Sequence, residues 1–178
     1  MPAGAVIPGN NTIPGALAHY RNAGAPTNGT TAVQTLTIGG TPTGGTFKLA
    51  HEGFTTGAIT WSATNATLVA NIDVALEALP SIGTGGVVTA VGTMTAGIGT
   101  ITLTFSGGNR ALSPVTLITV ASNSMTGTSP TAAVATTTPG VAPTARGAAA
   151  GALLIDTTNK TLYQNTGTAA APTWTQNS

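Results

Sequence analysis

From Val33 onwards, threonine alternates with aliphatic residues over short runs that are separated by glycine pairs. The run from Ile101 to Phe105 shows this most clearly, because threonine separates Leu103 from its apolar neighbours on both sides. A period of two places the apolar side chains on one face of a strand and the threonines on the other. Six or seven such strands with turn residues between them predict a mainly β protein, with a small β-sandwich over residues 32–138. The strands are expected around Leu36–Ile38, Phe47–Leu49, Ile59–Trp61, Val87–Val91, Ile101–Phe105, Val115–Val120 and Ala133–Thr138.

One segment departs from this period and predicts a single amphipathic helix over residues 65–79. Four aliphatic residues recur there at spacings of four, four and three, which places them on one helical face. They are Leu68, Ile72, Leu76 and Leu79. Thr64 is a candidate N-cap, and Pro80 ends the pattern. We expect the helix to cover one end or edge of the sheet.

Charged side chains are rare in this sequence. Five Lys or Arg residues and four Asp or Glu residues give the chain of 178 residues a net charge of +1. Without a basic cluster, the electrostatic footprint of a nucleic-acid binder is missing. The absence of cysteine excludes disulfides and thiolate metal sites. No apolar run approaches the ~20 residues that a membrane-spanning helix needs. We therefore expect neither nucleic acid nor a membrane among the partners.

The few titratable side chains offer little material for catalysis. Asp73 and Glu77 are four residues apart on the predicted helix and are expected to face solvent, while Asp156 is expected to accept main-chain hydrogen bonds at a turn. His51 and Glu52 are neighbours on a strand, so they are expected to point to opposite faces. No metal-ligand spacing or nucleophile motif occurs either. The sequence predicts no catalytic residue, no metal site and no cofactor, and the chain is not expected to be an enzyme.

Residues 1–31 are interrupted by proline and glycine throughout, which prevents a helix or strand of any length. We expect an extended arm that is either mobile or ordered by lying on a partner's surface. Its only charged residue is Arg21. One short patch within the arm is the candidate anchor, and its docking residues are Leu17, His19, Tyr20 and Arg21.

The C-terminal part predicts a second, smaller unit. Residues 139–150 read as a Pro/Ala/Gly linker, and residues 151–178 as a β-hairpin around the turn at Thr157–Lys160, with a third strand near Trp174. A unit of 28 residues cannot bury enough surface to be stable alone. We therefore expect it to pack against copies of the chain or against another protein. The candidate oligomerisation residues are Leu154, Leu162, Tyr163 and Trp174.

The order of elements over residues 33–138 resembles a module of bacteriophage virion proteins. The stretches that carry this resemblance are Val33–Thr37, Gly-Gly-Thr-Phe at 44–47, Trp61, Ala75–Gly83, Gly-Val-Val at 86–88 and Ile101–Gly107. Residues 151–178 are similar to hairpins that recur in head fibres and tail fibres. The two resemblances together cover about three quarters of the chain.

The resemblance implies a non-enzymatic virion structural protein, most closely a capsid decoration or head-fibre protein. Such a protein lies on the outside of the capsid, commonly as a trimer. Its partners would be the major capsid protein and copies of itself. The resemblance does not cover the arm at residues 1–31, which we expect to dock onto the capsid. The location of such a protein would be the capsid surface of the virion after synthesis in the cytoplasm of a bacterial host, in keeping with an N-terminus unlike a signal peptide.

Two alternatives remain open from the sequence. The first keeps the virion but makes the chain a tail-fibre or tail-associated protein, since nothing in the sequence decides between head and tail. The second is a carbohydrate or cell-surface binding module. In that case Trp174 and Tyr163 would form a stacking platform for host-surface glycans, although few convergent polar groups accompany them.

Overall fold

The computed structural model describes residues 19–22, 24–107 and 110–177, with His19 described by its backbone alone. The described residues divide into two units, each with its own apolar core. Unit 2 comprises Thr31–Gly140, and unit 1 combines the residues before Thr31 with those after Gly140. The boundaries therefore differ from the predicted ones, because the described residues before Thr31 belong with the C-terminal hairpin rather than forming a part of their own.

The elements in chain order are β1 (His19–Asn22), β2 (Val33–His51), β3 (Phe54–Thr55), β4 (Ile59–Thr60), α1 (Asn65–Glu77), β5 (Val88–Thr95), β6 (Ile98–Thr104), β7 (Thr119–Thr138), β8 (Leu153–Asp156), β9 (Thr161–Asn165) and β10 (Trp174–Asn177). Strands β1, β8, β9 and β10 belong to unit 1, and the other elements belong to unit 2. The predicted fold class, mainly β with one helix, is confirmed over the described residues.

Unit 2 is built around the long central strand β2. The strand order is β3-β2-β6-β5, and β4 and β7 also pair with β2. Strands β2 and β7 are 19 and 20 residues long, where the sequence predicted several short strands of a sandwich. They run antiparallel along almost their whole length. The strand predicted at Val115–Val120 is displaced, since β7 begins at Thr119.

The buried positions of β2 change from even to odd residue numbers along the strand. Ile38 is buried before the change and Phe47 after it. Relative to β7, β2 carries one extra residue between Pro42 and Gly44. Side chains alternate between faces along a strand, so one extra residue moves the apolar set to the opposite parity. As a result, both halves of β2 contribute to the same core.

Helix α1 agrees closely with its prediction. The four residues predicted for one face are all buried: Leu68, Ile72 and Leu76 lie in the helix, and Leu79 lies just after its end at Glu77. Thr64 occupies the N-cap position, but its side chain makes no capping hydrogen bond. Its main-chain N–H donates instead to the hydroxyl of Ser62, at 3.1 Å. Burial of the apolar face, rather than capping, therefore holds the helix on the unit 2 core.

Unit 1 is a four-stranded sheet in the order β1-β8-β9-β10, with β1 parallel to β8 and the other pairs antiparallel. The predicted hairpin corresponds to β8 and β9, and the predicted third strand to β10. The expectation of an arm without regular structure over residues 1–31 does not hold at residues 19–22. Proline and glycine limit the length of a strand, but four residues suffice to extend a sheet whose edge already offers main-chain partners.

Of the residues predicted as a linker, 139–150, those from Val141 onwards take part in unit 1. Thr30 and Val141 exchange main-chain hydrogen bonds of 2.8 and 2.9 Å. Ala148 is fully buried in the same small core as Trp174. The composition that suggested a spacer therefore suits close packing, because alanine and proline have no polar side-chain group that needs a hydrogen-bond partner when buried.

Candidate functional site

Among the residues predicted for docking and for oligomerisation, Tyr20, Leu154 and Trp174 meet in the core of unit 1. Tyr20 packs against the core that contains Leu154 and Trp174. The sequence placed Leu154 and Trp174 in a core shared between chains, whereas in the structure the chain's own residues cover them. Of the other predicted docking residues, Leu17 lies outside the described residues, and the side chain of His19 is not described.

Trp174 is fastened by two hydrogen bonds as well as by packing. Its indole N–H donates to the carbonyl of Thr144 at 2.8 Å, and its main-chain N–H donates to the side-chain oxygen of Asn28 at 2.7 Å. Only 6% of the residue is exposed. A sugar-stacking platform needs an open aromatic face. The indole of Trp174 is therefore not available for the sugar-stacking platform that the sequence predicted from Trp174 and Tyr163.

The other face of the unit 1 sheet is apolar at its centre. Arg21, Ile155 and Leu162 lie side by side on β1, β8 and β9. Ile155 and Leu162 are 38% and 37% exposed, and Arg21 is exposed as well. Tyr163 is half-buried and packs against the core on the opposite face. Leu162 and Arg21 are thus the predicted contact residues that unit 1 leaves accessible.

Asn165, which the sequence analysis did not single out, organises the loops of unit 1. It is 1% exposed, and its side-chain NH₂ donates to the carbonyls of Ala148 and Ala149 at 2.7 and 3.2 Å. Its side-chain oxygen accepts from the N–H groups of Gly167 and Thr173 at 2.9 and 2.7 Å. One buried amide therefore ties the predicted linker to the turn before β10. The Asn-Thr-Gly sequence signals a turn, but not these distant partners.

Asp156 closes the β8–β9 turn, as predicted. Its carboxylate accepts hydrogen bonds from the N–H groups of Thr158 and Asn159, at 2.8 and 3.1 Å, and from the Asn159 side chain at 2.7 Å. Burial raises the pKa of Asp156, but the hydrogen bonds from Asn159 and Thr158 outweigh it and bring the pKa below its usual value. The carboxylate is therefore held charged as a turn residue.

In unit 2, a polar cluster lies just beyond the end of β2. The Arg110 guanidinium donates two hydrogen bonds to the Glu52 carboxylate, at 2.8 and 2.5 Å, and a third to the carbonyl of Ser81 at 2.9 Å. The hydroxyl of Thr116 also donates to Glu52, at 3.3 Å. The hydrogen bond from Arg110 is the largest cause that lowers the pKa of Glu52. This cluster cross-links the β2–β3 turn, the turn after α1 and the segment before β7.

His51 lies buried beside this cluster. Its Nδ1 is 2.9 Å from the Ser81 hydroxyl, and its ring stacks on Phe105 with centroids 6.2 Å apart. Its Nε2 is 4.0 Å from a Glu52 carboxylate oxygen and has no hydrogen-bond partner among the residues that the structure describes. The expectation that His51 and Glu52 point apart is wrong. Glu52 follows the strand in a left-handed conformation, with φ of 49°, which turns its carboxylate back towards the imidazole.

Ser81, His51 and Glu52 bring together the residue types of a nucleophilic triad, but their hydrogen bonds serve the fold. The Ser81 hydroxyl donates to the main-chain carbonyl of His51 at 3.2 Å. The N–H groups that follow it, of Ile82 and Gly83, donate to the carbonyl of Leu79. An oxyanion site needs amides that point at a reacting group, and these are already used. The arrangement therefore works as a structural cross-link.

The two carboxylates of α1 are also engaged, contrary to the predicted solvated face. Asp73 accepts hydrogen bonds from the main-chain N–H of Thr89, at 3.1 Å, and from the Thr89 hydroxyl. Glu77 accepts from the N–H of Gly85 at 2.7 Å. Each carboxylate fastens the helix to a different neighbouring segment, so the two do not act as a pair.

Across the described ranges, no group of three or more His, Asp or Glu side chains is placed to hold a metal ion. In the same part of the chain, no helix is both long and apolar enough to cross a membrane.

No protein-family model matches the sequence, and no curated protein matches it either.

Proposed function

We propose that this chain is a non-enzymatic structural protein of a bacteriophage virion that decorates the outside of the capsid. Support comes first from the resemblance of residues 33–138 and 151–178 to virion modules. The observation that carries the proposal furthest is the pairing of β1 with β8, which fastens the N-terminal residues to the C-terminal hairpin. A protein that is anchored by its N-terminal segment needs such a connection, because any force on that segment must be transmitted to a folded unit.

The engagement of the acidic side chains supports a non-enzymatic role. Asp73, Glu77 and Asp156 accept main-chain hydrogen bonds, and Glu52 is held by Arg110. Catalytic carboxylates need a substrate within reach and neighbours that tune their pKa for proton transfer. Here each carboxylate already serves a turn, a helix contact or an ion pair.

Capsid docking is assigned to the residues before β1. Two of the residues predicted for docking are Tyr20 and Leu17. The ring of Tyr20 packs against the unit 1 core, and Leu17 belongs to the segment 1–18 outside the described residues. This segment contains no Lys, Arg, Asp or Glu, so apolar and main-chain contacts would supply its affinity. Each residue that becomes ordered on docking costs about 1–2 kcal/mol. A homotrimer would offset this cost by presenting three segments at high effective concentration.

In this proposal the partners are the major capsid protein and two further copies of the chain. The protein would be made in the cytoplasm of the bacterial host and would act on the capsid surface of the virion. Apart from Lys48, the exposed residues of β2 and β7 are uncharged and mostly small, so these strands would present an outer surface of low charge.

Two deletions test the docking segment against capsids that lack the protein. Removal of residues 1–18 spares β1, so we expect unit 1 to stay folded while co-sedimentation with capsids is lost. Removal of residues 1–25 also takes away β1, so we expect Trp174 to become more exposed and its fluorescence to shift to longer wavelength. Capsid binding at the full-chain level by the 1–18 deletion would contradict docking through this segment.

The alternatives fare differently against these observations. The burial of Trp174 weighs against a glycan-binding module based on stacking. A tail-associated role shares the non-enzymatic virion character, and the same co-sedimentation with isolated tails instead of capsids separates it from the head location.

A further inference from the structure

Strand β7 forms one edge of the unit 2 sheet. It is 20 residues long and contains no Lys, Arg, Asp or Glu. Strands in globular proteins are usually about 5–6 residues long, and natural edge strands are commonly protected by charge, proline or bulges. Among the strands of the described chain, β7 pairs with β2 alone. Its opposite edge therefore offers main-chain groups without a partner strand.

The first part of β7 carries such protection. The pairing with β2 is interrupted by register shifts on either side of Gly127, and Pro130 lies nearby. The Asn123 side chain donates to the carbonyl of Pro130 at 2.9 Å and accepts from the N–H of Met125 at 3.1 Å. These bonds occupy main-chain groups that another strand would need.

The stretch Thr131–Thr136 lacks this protection. It pairs with Gln34–Gly39 without a register shift and contains no proline, glycine or charged residue. Ala132 and Val134 pack against the core, while Ala133 and Ala135 are exposed on the outer face. Burial therefore fixes which side chains face the core, and the pairing register with β2 is uninterrupted over these six residues.

The same stretch is nearly symmetric about Val134. Alanine lies one residue away on both sides, at 133 and 135, and threonine lies three residues away on both sides, at 131 and 137. Opposite residues of an antiparallel pair share a face. A two-fold axis at Val134 would place Ala133 of one chain opposite Ala135 of the other, which small uncharged side chains allow without clash or repulsion.

We propose that Thr131–Thr136 is a contact surface for a second copy of this chain, through antiparallel pairing of the two β7 edges about Val134. Main-chain hydrogen bonds supply the affinity, as in other cases of strand addition. This contact is two-fold, so it is separate from the three-fold contact of the proposed trimer, and it does not depend on the capsid proposal. In a trimer it would join two neighbouring trimers.

Light scattering after size exclusion, over a concentration series of the full chain, tests this contact. We expect the wild-type mass to reach an even multiple of the chain mass. A133K/A135K puts lysine opposite lysine at two positions, so we expect it to halve that mass. A133K/A135E puts opposite charges at the same two positions and is expected to restore it. Thr37→Lys is the control, because Thr37 is exposed on the adjacent strand opposite Ala133 but away from the edge.

The contact would be overturned if the wild-type protein at the highest concentration were a monomer or an assembly with an odd number of copies. A double-lysine variant with the wild-type mass would also overturn it. The lysine–glutamate variant also controls for folding, since it changes the same two residues. Loss of mass in both variants would overturn the register about Val134. A trimer that is unaffected by these substitutions would leave the capsid proposal intact, whereas failure to bind capsids would leave the β7 contact intact.

Discussion

The ring of Tyr20 meets the indole of Trp174 edge-on, with centroids 6.1 Å apart and ring planes at 70°. Tyr20 lies on β1 and Trp174 on β10, so this contact closes unit 1 between the two ends of the chain. An aromatic pair of this geometry contributes about 0.5–1.5 kcal/mol beyond its buried area. The remaining core residues of unit 1 are few and mostly small, namely Ala148, Ala152 and Leu154. The pair is therefore central to the stability of this unit.

Trp174→Ala is expected to unfold unit 1. Truncation of a buried tryptophan costs about 3–5 kcal/mol, which a core of this size cannot spare. We expect the main-chain amides of β8 and β9 to lose hydrogen-exchange protection, as read by mass spectrometry, while those of β2 and β6 keep it. Gln176→Ala, at an exposed position of the same strand, should change nothing. Unchanged protection of β8 and β9 in Trp174→Ala would show that the pair does not hold the unit.

Gly40→Ala should destabilise unit 2. Gly40 has φ of 74°, and a Cβ there would collide with the carbonyl of Ser129 on β7. A non-glycine residue in the left-handed region, with its Cβ against a fixed main chain, is expected to lower the free energy of unfolding by more than about 1 kcal/mol. Urea unfolding measures this loss. Gly57→Ala is the matched control, because a Cβ at Gly57 meets open space and its φ is not in that region. Equal losses in the two variants would contradict the close approach of Gly40 to the Ser129 carbonyl.

The stability of unit 2 should fall as the pH drops below about 6.5, because the folded state resists protonation of His51. Burial is the largest cause that lowers the pKa of His51; Glu52 raises it and Arg110 lowers it by smaller amounts. Above pH 6.5 the imidazole is neutral in both states, and its contribution is complete. Below that pH the unfolded chain binds a proton that the folded chain does not, until the lower folded-state pKa is reached.

Urea unfolding at pH 7.5, 6.5 and 5.5, followed by Trp61 fluorescence in a Trp174→Phe background, measures this dependence. His51→Gln should be less stable at pH 7.5 but should lose less stability on acidification than the histidine protein. Parallel losses in the two proteins would mean that His51 does not set the acid response.

Arg110→Ala should cost more than Glu52→Gln. The side chains of this ion pair are 22% and 34% exposed, so solvent screening limits the pair itself to about 1 kcal/mol or less. Arg110→Ala also removes the donor to the Ser81 carbonyl, for an expected total of about 1–2 kcal/mol. Urea unfolding gives both values, and Lys48→Ala at an exposed position of β2 controls for loss of a surface charge. A larger loss in Glu52→Gln would place the main contribution in the carboxylate instead.

Local patterns in the sequence accounted for α1 and for most strands. Leu68, Ile72 and Leu76 have the helical period because one face packs on the sheet. The threonine alternation gave the correct faces of β6 because each strand contributes one face to the core. Periodicity is a local property, so it gave no sign that β2 would continue through its glycines as one strand paired with β7.

Long-range contacts account for what the sequence did not reveal. The four residues of β1 show no sequence pattern that predicts their pairing with β8. Glu52 and Arg110 are far apart in sequence, and their ion pair depends on the left-handed conformation of Glu52, which is uncommon outside glycine. Trp174 is buried in part by Tyr20 of β1. The sequence analysis treated residues 151–178 as an isolated unit, and for that reason it assigned Trp174 to an interface between chains.

The central claim, that this chain decorates a capsid from outside, is tested most directly by electron cryomicroscopy of capsids lacking the protein before and after addition of the full chain. We expect additional density on the outer capsid surface at symmetry-related positions, in three-fold clusters large enough for both units of each copy. Capsids that stay bare at saturating concentrations of the chain would contradict the claim.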